Sequence, residues 1–480
     1  MRRFQIIVAI ALAAAATQVK GVDGSAKTSV SRADGARTDL ALTIYNSNLG
    51  LVKETRTLTL EAGLTELRYM DVAAQINPRT VHMASLTDPK GLEVLEQNYE
   101  YDLISPEKLM ERFLGREVTL VFGEGGKGEQ RRETQATLVS NSGGMVYEID
   151  GRYHVNPDAR VILPEIPGGL ISAPTLVWLL RSAAAGPQKA ETSYLTGGIS
   201  WSADYVGVIS ADDAKADLTG WVTIDNNSGA TYKDATLKLV AGDVHRVAPE
   251  GLPRPYEMMQ MKGQAAPAFA EEAFFEYHLY TLERRATVKD RQTKQVTLME
   301  APGVPVKKIY LLRGEPSYFR GQFGGPGGEV KVGVSLELLN SEKNGLGMPL
   351  PQGTVRLYKQ DASGSLQFIG EDSVKHTPKD EKITLKMGDA FDVVAERTQT
   401  DFKAVSAGRY DAEVAFQINI RNHKDEAVTV VVREPVAGDW KILTSSHPPT
   451  KADAHTIEFS VPVPKNGEAV LSYRVAVDWS

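Results

Sequence analysis

Short runs in which apolar and polar residues alternate recur along most of this chain, and they constrain its fold more than any other feature. In the last run, Leu471, Tyr473, Val475 and Val477 alternate with polar residues such as Arg474. Residues two positions apart point to the same face of a β-strand, so this spacing predicts a strand with one buried and one solvated face. The recurrence of the pattern predicts a mainly β protein.

The alternation is most regular in the last third of the chain. Turn sequences such as DASGS and PKNGE separate the apolar runs, and regular spacing of short strands and turns is typical of an antiparallel β-sandwich. We therefore predict a C-terminal β-sandwich over residues 329–480. Its strands are expected in the runs VKVGVSLELLN, TVRLYKQ, LQFIGED, AFQINIRN, VTVVVREP, TIEFSVPV and AVLSYRVAVDW.

An N-terminal β-domain is predicted over residues 38–187, with one clear helix at 105–115. Ser105 can cap this helix, Pro106 suits its first position because proline has a fixed φ and no N–H, and Gly115 can supply a left-handed end.

A small barrel-like β insert is predicted after this helix, near the end of the N-terminal third. Its strands are expected in REVTLVF, ETQATLV and the hairpin VYEIDGRYHV. The Asp150-Gly151 pair in the hairpin indicates a type I′ turn, because both central residues of that turn need positive φ.

Residues 188–328 are predicted to form a further β lobe, interrupted by a mobile excursion at 248–273. The excursion is rich in Pro, Ala, Met and Gln, a composition that buries too little apolar surface to order a segment.

The N-terminus indicates export. Arg2 and Arg3 precede an apolar run in residues 1–16 that ends in small residues, which is typical of a secretory signal peptide, and residues 17–37 are predicted to form a flexible lead. We expect the processed protein in the periplasm or outside the cell, and not integral to a membrane. The chain has no cysteine, which excludes disulfides, thiolate metal ligands and a cysteine nucleophile.

The overall charge argues against nucleic acid as a partner. The formal net charge is -7 at pH 7, whereas nucleic-acid binding depends on clustered Lys and Arg that neutralise phosphates.

A serine resembling a hydrolase nucleophile lies in GGISWSADYVGVIS, residues 197–210. Ser200 is one residue short of the G-x-S-x-G motif, because Ser202 replaces the second glycine, and the following residues predict a strand where the motif needs a helix. Trp201 and Tyr205 share one parity along this strand. We predict that these two aromatics are structural core residues, and we identify no catalytic residue.

No metal or cofactor site follows from the spacing of the eight histidines. Glu276 and His278 form the closest grouping, but two ligands are too few, and DNNSG at 225–229 is better explained as a turn than as a calcium loop. We expect no cofactor.

Three methionines, Met258, Met259 and Met261, lie close together in the excursion and are the candidate metal ligands, because thioethers bind Cu(I). The alternatives for this segment are an ordinary linker and an adaptable contact surface for a partner.

Several runs in order resemble the bacterial exported family of the domain of unknown function forty-one thirty-nine (DUF4139), over about residues 190–480. The resemblance implies an exported, mainly β protein and assigns no reaction and no site residues. The runs that carry it are YLTGGISWSADY, TLERRATVKDRQTKQVTLME, the long run that begins GTVRLYKQ, and INIRNHKDEAVTVVVREP.

These observations favour a non-catalytic binding or scaffolding protein of the bacterial envelope, with an envelope protein or polymer as its partner. A secreted hydrolase of envelope polymer or ester is the alternative, and metal handling through the methionine segment is the second alternative. Fold class alone does not decide among them.

Overall fold

The structure, a computed structural model, describes residues 26–123, 132–242, 244, 269–274, 277–322, 328–405, 411–436 and 438–479. Strands form 66% of the chain and helices 5%, so the predicted mainly β class is confirmed. The strands before the excursion are β1 (Lys27–Ser31), β2 (Arg37–Tyr45), β3 (Leu49–Leu60), β4 (Gly63–Met70), β5 (His82–Ser85), β6 (Leu92–Glu100), β7 (Glu117–Phe122), β8 (Arg132–Ser140), β9 (Val146–Ile149), β10 (Arg152–Val155), β11 (Arg160–Ile162), β12 (Thr175–Ser182), β13 (Gly186–Thr196), β14 (Ile199–Ile209), β15 (Lys215–Asn226) and β16 (Tyr232–Ala241). Those after it are β17 (Phe269–Phe274), β18 (Tyr277–Leu282), β19 (Ala286–Val288), β20 (Gln292–Pro305), β21 (Lys307–Arg313), β22 (Gly328–Leu339), β23 (Gly353–Gln360), β24 (Leu366–Val374), β25 (Lys382–Ala404), β26 (Ala412–Asn422), β27 (Val428–Pro435), β28 (Asp439–Ser445), β29 (Pro449–Asp453), β30 (Thr456–Val463) and β31 (Gly467–Asp478).

Helical structure is short. The predicted helix runs Pro106–Arg112, with the Ser105 hydroxyl accepting the Lys108 N–H and Gly115 at a φ of 73° in the turn that follows. Three 3₁₀ turns lie at Pro78–Thr80, Pro316–Phe319 and Glu342–Asn344, and Ala33–Ala36 forms a turn in which Gly35 has a φ of 94°.

The chain divides into two compact units. Unit 1 comprises the described residues of Met1–Thr38, Thr55–Val72 and His82–Thr192, and unit 2 comprises those of Asp39–Glu54, Ala73–Val81 and Ser193–Ser480.

Unit 1 contains a four-stranded sheet in the order β1-β4-β12-β6 and a five-stranded sheet in the order β10-β9-β8-β7-β11. The five-stranded sheet contains the strands of the predicted insert, and it packs around a small core that includes Leu120, Leu138 and Tyr147. Asp150 and Gly151 both have positive φ, which confirms the predicted turn of its hairpin. Residues 27–31 of the predicted flexible lead form β1, which pairs with β4 in parallel.

Unit 2 contains a five-stranded sheet in the order β20-β15-β14-β23-β24 and a nine-stranded sheet in the order β28-β31-β26-β25-β22-β21-β27-β30-β29. Most described pairs are antiparallel, whereas β14 with β23 and β21 with β27 are parallel. Strands from both sides of residue 328 share the five-stranded sheet, because β23 follows that position and pairs with β14.

The two sheets pack face to face as a sandwich. Leu218 and Leu357 of the five-stranded sheet lie against Leu336 and Leu385 of β22 and β25, around a cavity of about 20 Å³ with no polar lining. A cavity of that size is about that of one water molecule, so this interior is core and has no room for a ligand.

Candidate binding surface

The serine that resembles a nucleophile lies in the middle of a regular strand. Ser200 stands opposite Asp225 in the pair of β14 with β15, and β14 continues to Ile209, whereas a nucleophile elbow turns into a helix. Trp201 and Tyr205 are buried on the other face of β14. The Trp201 indole N–H donates to the Val240 carbonyl at 3.1 Å, and the Tyr205 hydroxyl donates to the Pro351 carbonyl at 2.7 Å.

His278 contacts a carboxylate other than the one expected. Its Nδ1 lies 2.7 Å from Oε1 of Glu271 on the neighbouring strand β17, and the Glu271 side chain is only 4% exposed. Glu276 lies outside the described residues. Over the part of the chain that the structure describes, no three His, Asp or Glu side chains are grouped so that they could hold a metal ion.

The methionine candidates also lie outside the described residues. This applies to Met258, Met259 and Met261 and to residues 248–268 of the predicted excursion, whereas 269–273 belong to β17. Metal handling through this segment stays a prediction.

The DNNSG turn is held by a buried asparagine. The Asn226 side-chain amide donates to the Ala230 and Lys289 carbonyls, each at 2.9 Å, and its oxygen accepts the Ser228 N–H at 3.1 Å. With its amide and its carbonyl oxygen engaged by neighbouring loops, Asn226 has a structural role.

A buried ion pair in the nine-stranded sheet was not predicted. Nη1 of Arg397 on β25 lies 2.7 Å from Oε1 of Glu434 on β27, and the two side chains are 5% and 0% exposed. The guanidinium lies 5.1 Å from the ring centre of Tyr318 and 5.8 Å from that of Phe416. The sequence did contain a signal for the burial of Glu434. In the run VTVVVREP, Glu434 continues the alternate positions of buried Val428, Val430 and Val432.

The surroundings of this pair point to a structural role. Burial raises the pKa of the Glu434 carboxyl and opposes the effect of Arg397, and burial together with Glu434 raises the pKa of Tyr473 well above its usual range. Gly314 is required beside the pair, since a Cβ there would come within 2.0 Å of Oε2 of Glu434. Because the pair is enclosed by core side chains, it has no surface on which a ligand could be bound.

A groove of about 610 Å³ lies on the outside of the nine-stranded sheet, lined by Arg313, Lys382, Arg433 and Glu458 among others. Two of its three cations are neutralised within the sheet. Arg433 pairs with Glu458 at 2.6 Å, and Lys382 pairs with Glu337 at 3.1 Å. Partly exposed pairs of this kind are ordinary surface features, so the groove lacks the excess charge of an anion site.

The feature that departs most from an ordinary surface is the start of β24. This strand ends the five-stranded sheet, with β23 on one side and no described strand hydrogen-bonded to its other side. Leu366 is 53% exposed, Phe368 54% and Ile369 36%. Ile369 is the extra residue of a β-bulge, since Tyr358 pairs with Phe368 while Leu357 pairs with Gly370.

A second exposed aromatic lies on β25. Phe391 is 94% exposed although it belongs to a long strand. The four residues 390–393 stand opposite the single residue Val332 of β22, so this part of β25 is an enlarged bulge with three extra residues. Within the bulge Val393 is buried in the core and Phe391 points to solvent. Bulges re-aim side chains in this way.

The two exposed stretches extend in the same direction from one point of contact between β24 and β25. The Lys386 N–H donates to the Asp372 carboxylate at 2.7 Å, and the backbone of Met387 lies against Gly370. The two strands are therefore antiparallel here, and residues before Gly370 lie on the same side of the contact as residues after Met387. Leu366 and Phe391 are each four residues beyond the contact of Gly370 with Met387. We call Leu366, Phe368, Ile369 and Phe391 the edge surface.

The edge surface offers apolar contact and free main-chain groups. Exposed apolar residues scattered singly are normal, whereas a contiguous patch of them is typical of an interaction site. The edge of a sheet adds a row of N–H and C=O groups available to another chain. The sequence contained the residues in LQFIGED, but nothing in it showed that this strand would end its sheet.

Membership of a family is the last observation that bears on identity. Within the described residues, no helix has the length and apolar character needed to cross a membrane. Comparison with the curated proteins gives no match. The family model described as Domain of unknown function (DUF4139) matches residues 190–480, which include the whole edge surface and more than half of the chain. The chain therefore belongs to the DUF4139 family.

Proposed function

We propose that this protein is an exported, non-catalytic binding protein of the bacterial envelope, and that it holds its partner at the edge surface. The observation that carries the proposal is the exposure of Phe391, 94% of which is in contact with solvent. A phenylalanine side chain gains on the order of 2 kcal/mol from leaving water, and folding of the chain by itself leaves that gain unused. Binding of a partner would use it.

The arrangement of the bulge supports the same proposal. A regular strand would continue the pairing of β25 with β22 without the additional residues at 390–393. The bulge directs one aromatic outwards on β25, a strand that contacts β24, and β24 already exposes Leu366 and Phe368. Aromatic side chains are enriched among the residues that contribute most to the binding energy of interfaces.

Photo-cross-linking in intact cells tests this proposal. A photoreactive amino acid at Gln367, which lies between Leu366 and Phe368, is expected to give a discrete cross-linked product, and Phe391→Ser in the same chain should abolish it. The matched control is the same amino acid at Thr450 on β29, an exposed edge strand distant in the sheet order. No product from position 367, or a product that is unchanged by Phe391→Ser, would contradict the proposal.

Export is the second component of the proposal and has its own test. The apolar run of residues 1–16 and the absence of cysteine are its support. We expect N-terminal sequencing of the protein from the cell exterior or periplasm to begin after this run, and recovery of a chain that retains Arg2 and Arg3 in the cytoplasm would contradict export.

A further inference from the structure

We infer that residues 17–22, which we call the N-terminal segment, fold back at a turn of Asp23-Gly24 and add a strand to the outer side of β1. There the segment fills and closes a groove of unit 1. Residues 17–25 lie outside the described residues, whereas the groove lies within them. The inference concerns a surface other than the edge surface and does not rest on the proposed function.

The groove has a volume of about 600 Å³ and follows two strands of different sheets. Residues 29–31 of β1 line one side and residues 57–59 of β3 line the other, all within unit 1. Because three consecutive residues of each strand take part, the groove runs along the backbone of both strands. Buried Leu58 and Leu67 also line it. A volume of this size is typical of a binding site.

The groups beside the groove indicate an extended polypeptide as its occupant. β1 is the first strand in the order of its sheet, so no described strand is hydrogen-bonded to its outer side. Proteins usually cover such an edge, because its main-chain N–H and C=O groups can pair with another chain. Val30 is 57% exposed, and the Oγ atoms of Ser29 and Ser31 have no hydrogen-bond partner among the described residues. An added strand can supply main-chain, apolar and polar contacts together.

The sequence immediately before β1 contains the turn that such a strand needs. Asp23-Gly24 is the dipeptide that also joins β9 to β10, where Asp150 and Gly151 have φ angles of 49° and 73°. Asp-Gly favours the two-residue turn of a hairpin because both central residues adopt positive φ. The same turn at Asp23-Gly24 would place Val22 opposite Ser25 and return the chain alongside β1.

This pairing would place suitable side chains beside β1. It puts Gln18 opposite Ser29 and Val19 opposite Thr28. The Gln18 amide has both donors and an acceptor, which the serine hydroxyls on that face of β1 can use. On the other face Val19 becomes the diagonal neighbour of exposed Val30, and such neighbours are within reach of each other.

The length of the N-terminal segment suits the groove. Six residues span about 20 Å at the rise of a strand, and β1 itself has five residues. Two residues connect Gly24 to Lys27, so the segment is held close to β1, whereas a separate chain would have to be captured from solution. A short covalent connection of this kind gives a high effective concentration. It selects the chain's own segment over a partner.

The charges around the segment are balanced. Near the turn, Lys20 would stand opposite Lys27, whose Nζ lies 3.4 Å from Oε2 of Glu61, and Asp23 lies in the turn itself. At the other end, one arginine and one aspartate line the groove. Equal numbers of cations and anions at each end leave no net charge that opposes the pairing.

The first test measures the register with pairs of cysteines in the full chain, with whatever processing of residues 1–16 the cell carries out. The chain has no cysteine of its own. Val19→Cys with Thr28→Cys places two cysteines opposite each other, and we expect an intramolecular disulfide in oxidised glutathione. Gln18→Cys with Thr28→Cys is the register control. It should oxidise at least about tenfold more slowly, because its side chains point to opposite faces. Mass spectrometry follows both reactions.

The second test measures occupancy of the groove by hydrogen exchange. Gly24→Val disfavours the turn, which needs positive φ at this position. We expect amides within residues 27–31 and 57–59 to exchange at least about tenfold faster in this variant than in the native protein. Gly21→Val, at a strand position of the same segment, is the matched control and should change exchange by less than about twofold. Circular dichroism verifies that each variant is folded.

Each contrary result would overturn the inference in a different way. Equal oxidation rates of the two cysteine pairs would show that the segment has no fixed register beside β1. A disulfide-linked dimer as the main product would show that the groove holds a second copy. Unchanged exchange in Gly24→Val would show that the segment does not cover the groove. The Phe391-dependent cross-link at position 367 would be unaffected in all three cases, so the proposed function is tested separately.

Discussion

The interior of the nine-stranded sheet and the edge surface each reverse the usual distribution of polar and apolar residues, with different consequences. In the interior, Arg397 and Glu434 are charged side chains enclosed by core. At the edge, Phe391 and Phe368 are large apolar side chains in solvent. A buried polar group and an exposed apolar group are the informative exceptions on a folded protein.

The two regions differ in whether the chain itself supplies contacts for these unusual side chains. The ion pair is completed within the chain, by its own partner and by the rings of Tyr318 and Phe416, so changing it should alter stability. The edge surface is not covered by the described residues, so changing it should alter binding and leave stability nearly intact. Variants of the two regions should therefore separate cleanly in an unfolding experiment.

The largest effect is expected from Glu434→Leu, which leaves the Arg397 guanidinium buried without its carboxylate. Loss of one partner of a buried pair costs about 3–5 kcal/mol of unfolding free energy. Urea denaturation measures it. Glu458→Leu, in the partly exposed pair with Arg433, is the matched control and should cost about 1 kcal/mol or less. Equal losses in the two variants would show that burial does not distinguish the pairs.

A smaller effect is expected when both charges are removed together. The double variant Arg397→Met with Glu434→Leu should be within about 2 kcal/mol of the native protein, because well-packed apolar residues often replace a buried pair at little cost. The same urea experiment checks it. If the double variant lost as much stability as Glu434→Leu alone, the cost would not come from an unpaired charge.

At the edge surface, the expected change in stability is close to the limit of measurement. Phe391→Ser should alter the unfolding free energy by about 0.5 kcal/mol or less, since an exposed side chain makes few native contacts. The comparison with Glu434→Leu is then direct, because both side chains belong to the nine-stranded sheet. A loss of about 2 kcal/mol or more would mean that Phe391 supports the bulge and is not held for a partner.

The smallest effect concerns the turn that leads into β24. Asp361 accepts hydrogen bonds from the Ser363 hydroxyl and N–H, the Ser365 N–H and the Gln367 amide, and these lower its pKa to about 2. The folded value is below the unfolded value of 3.8, so the stability that this carboxylate contributes is present above about pH 4 and is lost as the pH falls towards 2.

Carboxyl chemical shifts in a pH titration measure this value. In Asp361→Asn, the part of the acid sensitivity between pH 4 and 2 that arises from this residue should disappear. A titration of Asp361 near 3.8 in the folded protein would show that the turn does not hold its charged form.

The agreement between pattern and structure is greatest where one stretch of chain decides the outcome. Asp150 and Gly151 make the predicted hairpin turn because their own φ angles suit it, and Ser105 caps the helix that begins at Pro106. The helix nevertheless ends at Arg112, three residues before the predicted end at Gly115, and helix ends depend on what the last turn meets.

The functional surface was not predictable in the same way. The run LQFIGED reads as another strand of a sandwich, and its residues become an exposed edge only because β24 is last in the order of its sheet. Phe391 belongs to a run whose alternation is broken by a bulge, and the bulge exists because β22 supplies only Val332 opposite four residues of β25.

By itself, the sequence determined the mainly β class and the faces of many strands, because the period of two is a property of neighbouring residues. The parity of VTVVVREP already placed Glu434 on the face of Val428, Val430 and Val432. Only the tertiary structure decided that Arg397 meets Glu434 and that β24 has no neighbour hydrogen-bonded to its outer side among the described strands. Both depend on pairing between strands distant in the chain, and local alternation carries no information about which strands pair.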